Sequence, residues 1–110
     1  MSGVTLFRDG THITDVTFQQ KGEIAVGSGG VGGEYYLRIP LEARPELLRA
    51  LAEAAGTNVP GELDDDRAGE FVMALFLTLF KRTDADPYSE IEESLRSNDI
   101  EFRPQYWPSR

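Results

Sequence analysis

With 110 residues and no cysteine, the chain can build one domain around a single core, here expected over residues 1–110, but no disulfide framework, thiolate metal cluster or cysteine nucleophile. Nineteen acidic residues against eleven basic ones give a formal charge of −8, which repels phosphate backbones and attracts cationic surfaces, so nucleic acid is not an expected partner. Met1-Ser2-Gly3-Val4 carries no basic segment leading into an apolar stretch, and no run reaches the roughly 20 residues that span a bilayer. A cytoplasmic protein with no membrane partner is therefore expected.

Val4 to Arg8 reads as a short strand, with Asp9-Gly10 as the first hairpin turn. Strands over Ile13 to Gln19 and Glu23 to Val26 follow, and side-chain phase fixes the loop between them. A two-residue loop at Lys21-Gly22 would split the apolar residues between two faces. A three-residue loop Gln20-Lys21-Gly22 pairs Phe18 with Ile24 and Val16 with Val26, and places Gly22 in the left-handed position such a loop needs. Gly27 to Gly33 contains a literal G-x-G-x-x-G, but the chain continues as a strand, Glu34 to Ile39, instead of opening a helix whose amides could face a phosphate. No nucleotide site is expected there, and the run reads as a mobile connection between strands. In the next strand Tyr35, Leu37 and Ile39 share one face and Tyr36 and Arg38 the other.

Pro45 opens a helix that runs to Ala55, with Leu47, Leu48, Leu51, Ala52 and Ala55 as its apolar stripe and Gly56 as its C′ stop. The run Phe71 to Phe80, Phe-Val-Met-Ala-Leu-Phe-Leu-Thr-Leu-Phe, is the expected core helix, hidden on nearly every side. Asp64-Asp65-Asp66 before it and Lys81-Arg82 after it suit the helix dipole. Asp86-Pro87 starts a third helix as N-cap and N1, with Tyr88, Ile91 and Leu95 inward and Glu90 and Glu93 outward. Ile100 to Trp107 is extended, and Pro104 confines it to a sheet edge or a bulge. The fold class is α+β: an antiparallel sheet of four to five strands with three helices on one face, in the order ββββαααβ.

Little catalytic chemistry is legible. His12 is the only histidine and has no partner motif, which makes it a surface strand residue and not part of a triad or metal centre. Asp64-Asp65-Asp66 with Glu62 lack the spacing of a calcium loop and read as cap and dipole partners. No carboxylate pair is marked out for sugar chemistry by aromatic neighbours. Tyr106 and Trp107, beside Pro104 and Pro108, read as a cover for the end of the core helix, or alternatively as binding anchors. No enzyme activity, metal or cofactor is expected.

Two segments carry a resemblance. Glu34-Tyr35-Tyr36-Leu37-Arg38-Ile39-Pro40 runs through Pro45-Glu46-Leu47-Leu48-Arg49-Ala50-Leu51, and Leu95 is followed by Asp99-Ile100-Glu101-Phe102 and Tyr106-Trp107. Together they resemble small actinobacterial proteins of the immunity type, in which a strand ending in Ile/Val-Pro leads to a Leu-rich helix and a later helix runs into an Ile-Pro-Tyr-Glu-Phe-Trp-like end. Here Arg103-Pro104-Gln105 interrupts that end. The resemblance implies a cytoplasmic protein that binds and neutralises a cognate toxin, and the acidic composition favours a basic partner such as a nuclease toxin. A small-molecule-binding or enzymatic α+β domain and a structural adaptor are the alternatives. The expected partner-binding residues are Asp64, Asp65, Asp66, Glu90, Glu93 and Trp107.

Overall fold

The computed structural model describes residues 2–19 and 22–108. Strands β1 (Ser2–Asp9), β2 (His12–Phe18), β3 (Ile24–Gly30) and β4 (Gly33–Ile39) form an antiparallel meander, and β5 (Arg103–Pro108) adds to the free side of β4. The expected α+β architecture and element order are present, with the sheet order β1-β2-β3-β4-β5. Phe18 pairs with Ile24 and Val16 with Val26, and Gly22 has φ 80°, as the phase argument required; Gln20 and Lys21 of that loop lie outside the described residues.

Two turn assignments shift. Asp9 pairs with His12, so the first loop is Gly10-Thr11 and not Asp9-Gly10; Gly10 takes φ 62° at the first central position, where a two-residue loop most readily accepts glycine. The glycine run is not a connection either. Gly27, Gly29 and Gly30 are ladder residues of β3, Gly33 opens β4, and only Val31-Gly32 link the two strands.

One face of the sheet carries Val16, Ile24, Val26, Leu37 and Ile39, all fully buried beneath the helices. A bulge between Thr5 and Phe7 turns both Leu6 and Phe7 inward. A 3-10 turn (Leu41–Ala43) leads into α1 (Arg44–Ala54), which packs on α2 (Asp65–Phe80) through Leu47, Leu48, Leu51 and Ala52. Gly56 at φ 73° closes α1: its N–H bonds the Glu53 carbonyl and that of Thr57 the Ala52 carbonyl, so the last carbonyls are satisfied.

Helix α2 lies across β1 and β2, with Phe76 and Val72 fully buried. It is not hidden all round. Glu70, Ala74 and Thr78 form an exposed outer line, and the apolar run tolerates this because its two positions on that line, Ala74 and Thr78, hold small side chains. Asp64 caps the helix by accepting from the Arg67 N–H at 2.8 Å. At the other end the Arg82 guanidinium donates to the Leu79 carbonyl at 3.0 Å, while the Arg82 N–H bonds the Leu6 carbonyl in the β1 bulge. Helix α3 (Tyr88–Ser97) rests on β3 through Ile91 and Leu95. Pro87 is its N-cap and not N1, so Asp86 stands one residue further out than expected. No helix among the described residues is long and apolar enough to cross a membrane.

Candidate functional site

The two faces of the sheet each carry a polar cluster. On the helix face the apolar rows end at the Thr14–Ser28 pair, both buried. Over them lies Asp86 from the segment between α2 and α3. Its Oδ1 accepts from Thr14 Oγ1 at 2.6 Å and from the Tyr88 N–H at 2.9 Å. Its Oδ2 accepts from Ser28 Oγ at 2.6 Å, and His12 Nε2 lies 2.7 Å from the same oxygen. Burial works against the Asp86 charge, but the bonds from Ser28, Thr14, His12 and the Tyr88 N–H together outweigh it and hold the carboxyl below its ordinary range.

His12 therefore has partners that sequence spacing did not reveal, because Asp86 is 74 residues away. A serine, a histidine and an aspartate meet here, yet not as a hydrolytic triad. In a triad the imidazole stands between the other two and uses both ring nitrogens. Here one nitrogen, Nε2, faces both Asp86 Oδ2 and Ser28 Oγ, at 2.7 and 3.1 Å, and the Ser28 proton is already donated to the carboxylate. The cluster is a staple that pins the start of α3 to β2 and β3.

Among the described residues no helix lies over the opposite face. The register aligns three rows across it: Thr17, Ala25, Arg38 and Arg103; Asp15, Gly27, Tyr36 and Gln105; Ile13, Gly29, Glu34 and Trp107. Gly27 and Gly29 stand at alternate positions of the central strand and leave a low stripe. A Cβ on Gly27 would lie 2.9 Å from the Tyr36 ring and 3.1 Å from Asp15 Oδ1, so these two side chains recline on that glycine, whereas one on Gly29 would run into the Gly33 carbonyl and lie 2.7 Å from Glu34 Cα, so there the β4 backbone itself comes close. Tyr36 donates its hydroxyl to Glu34 Oε2 at 2.8 Å. That bond, then burial, pushes the Tyr36 hydroxyl up from its ordinary range.

Asp15 is half-buried, and its carboxyl is pushed up, first by burial and then by the Glu34 charge. Neither Asp15 nor Glu34 has an ion-pair partner among the described residues. The nearby Arg38 is committed to Glu23 at 2.9 Å and Gln105 at 2.5 Å, with its guanidinium over the Tyr36 ring at 5.6 Å. Asp15, Glu34 and Tyr36 form the common wall of two hollows. One, of about 390 Å³, extends to Ala25, Arg38 and Trp107; the other, of about 180 Å³, extends to Ile13, Gly29 and Gly30.

Of the residues expected to bind a partner, only Trp107 lies in this place. It is 56% exposed and does not cover the core helix. Tyr106 does not cover that helix either: it points to the other face, stacks on Tyr35 at 4.6 Å and donates to the Gly32 carbonyl at 3.3 Å. The acids are not one surface. Asp64, Asp65 and Asp66 sit at the start of α2, whose 16 residues span about 24 Å. Glu90 pairs with Arg82 just beyond its other end, at 3.0 Å, and Glu93 is exposed on α3. Asp65 pairs with Arg44 at 2.9 Å and Asp64 is occupied as the cap, so both serve the fold as read from the sequence. Asp15, Glu34 and Tyr36 were missed. Glycine at alternate strand positions, flanked by polar residues in phase on β2 and β4, was the available signal. The chain matches no protein-family model, no curated protein and no solved structure.

Proposed function

We propose that this chain is a binding protein of the immunity type, which attaches to a cationic protein such as a basic toxin and neutralises it by occupying its surface, without chemistry of its own. The observation that carries this is the helix-free sheet face, where the exposed Trp107 stands beside two carboxylates that no cation of the described chain neutralises. A large aromatic at the centre of a contact resists dissociation, and surrounding acids speed the encounter with a positive partner. The formal charge of −8 and the resemblance of the two segments to immunity-type proteins support the same role. The acids on α2 and α3 contribute at long range, through the field and not through contact.

Co-purification from the native host with mass spectrometry, followed by binding kinetics, tests this. A basic partner is expected, with association that slows from low to high salt as screening shortens to about 8 Å at physiological ionic strength. Reversing Glu90 and Glu93 to lysine should slow association and flatten that salt dependence, whereas Trp107→Ala should speed dissociation. An acidic partner, or an affinity that ignores salt, refutes the proposal.

A further inference from the structure

We infer that the open sheet face receives an arginine side chain of the cationic partner, in the slot walled by Asp15, Glu34 and Tyr36 and rimmed by Trp107; this rests on the binding role proposed above and names the chemistry of its contact. Gly27 and Gly29 line the smaller hollow and Ala25 the larger one that Trp107 rims, and small residues beneath Asp15, Glu34 and Tyr36 make these walls part of a shaped recess and not of a flat acidic patch. Its electrostatics are unrelieved. Asp15 is held partly away from water next to Glu34 with no ion-pair partner among the described residues, and the nearest guanidinium, Arg38, lies over the Tyr36 ring but spends its N–H bonds on Glu23 and Gln105. An incoming cation removes that cost.

Two features select guanidinium over ammonium. Two carboxylates and an aromatic surface suit a planar group that donates through several N–H bonds and stacks on a ring, whereas an ammonium is a compact, strongly hydrated point charge. The same face already shows the pairing within the chain, since the Arg38 guanidinium lies over Tyr36 while it is hydrogen-bonded at its edge. A bare metal ion is a poorer occupant, for no group of three or more His, Cys, Asp or Glu that could hold one occurs among the described residues.

Trp107 is the only tryptophan, so its fluorescence reports on the slot. Hexa-arginine and hexa-lysine peptides are titrated into the whole chain and into two variants that each lose two negative charges, Asp15→Asn/Glu34→Gln and Glu90→Gln/Glu93→Gln. Binding is also measured by calorimetry, and folding is checked by thermal melting. Glu34→Gln alone serves if the double variant melts early.

Hexa-arginine should change Trp107 emission and bind more tightly than hexa-lysine. The slot variant should weaken it by about tenfold or more, the expectation for lost charge-assisted hydrogen bonds, and the helix variant by less than about threefold. Equal losses in the two variants overturn the slot while leaving the charge-driven role standing. Failure of both peptides to bind by calorimetry overturns both. Equal affinity for the two peptides overturns the choice of arginine, and an identical Trp107 response to calcium or magnesium makes the slot a metal site and overturns the inference.

Discussion

Asp86 and Asp15 lie against opposite faces of the same sheet, and their surroundings shift their acidities in opposite directions. Asp86 is ringed by four donors and stays charged below its usual range; Asp15 is half-buried beside a second carboxylate and resists charging. A carboxylate whose bonds are all supplied by its own chain is part of the fold. One that carries a desolvation cost without such bonds is a place where a ligand can contribute what the chain withholds. The same contrast separates the neighbours: Thr14 and Ser28 spend their hydroxyls inward, while Trp107 and Glu34 stand exposed.

The helix face should carry the stability and the open face little of it. Phe76→Ala leaves a cavity under α2 and is expected to cost about 3–5 kcal/mol, against less than about 1 kcal/mol for Trp107→Ala on the open face. Equal urea midpoints for these two variants would erase the distinction between the faces.

Next in size, Asp86→Ala leaves the Thr14 and Ser28 hydroxyls without their acceptor and should cost about 1–3 kcal/mol near neutral pH. The folded carboxyl titrates below its unfolded value, so its contribution is present above about pH 3.9 and fades as pH falls through the lowered value. The gap in urea midpoint between the parent and Asp86→Ala should therefore narrow in acid. A gap that holds steady down to about pH 2 would show that Asp86 acts by shape and not by charge.

Asp15→Asn should go the other way. Because its folded carboxyl is raised, the fold favours the protonated form: that contribution is present below about pH 3.9 and is lost as pH rises through the raised value, leaving the charge a net cost at neutrality. The substitution should raise the thermal midpoint at pH 7 and lose that advantage in acid. A drop at pH 7 would place Asp15 among the structural carboxylates with Asp86. The smallest effect belongs to Glu93→Ala, exposed on α3, which should move stability by no more than about 0.5 kcal/mol in thermal melting.

Local pattern was enough for the elements themselves. The phase of Val16, Phe18, Ile24 and Val26 gave the β2–β3 register, the Leu stripe and Gly56 gave α1 and its stop, and the apolar run after Asp64 gave α2. The errors share one cause. A turn shifted by one residue at Gly10, the glycines of β3 taken for a linker, and the outer line of α2 each depended on what the chain was packed against.

For the site the division is sharper. Side-chain alternation within a strand is a property of neighbouring residues, so Tyr36 and Arg38 share one face and Tyr35, Leu37 and Ile39 the other whatever the strand pairs with. Which residues meet across strands, and which face the helices cover, depends on pairing and packing between segments far apart in the chain. That is why only the tertiary structure joined His12 to Asp86, laid Asp15 and Tyr36 over Gly27, and set Trp107 beside Glu34 and not on the core helix.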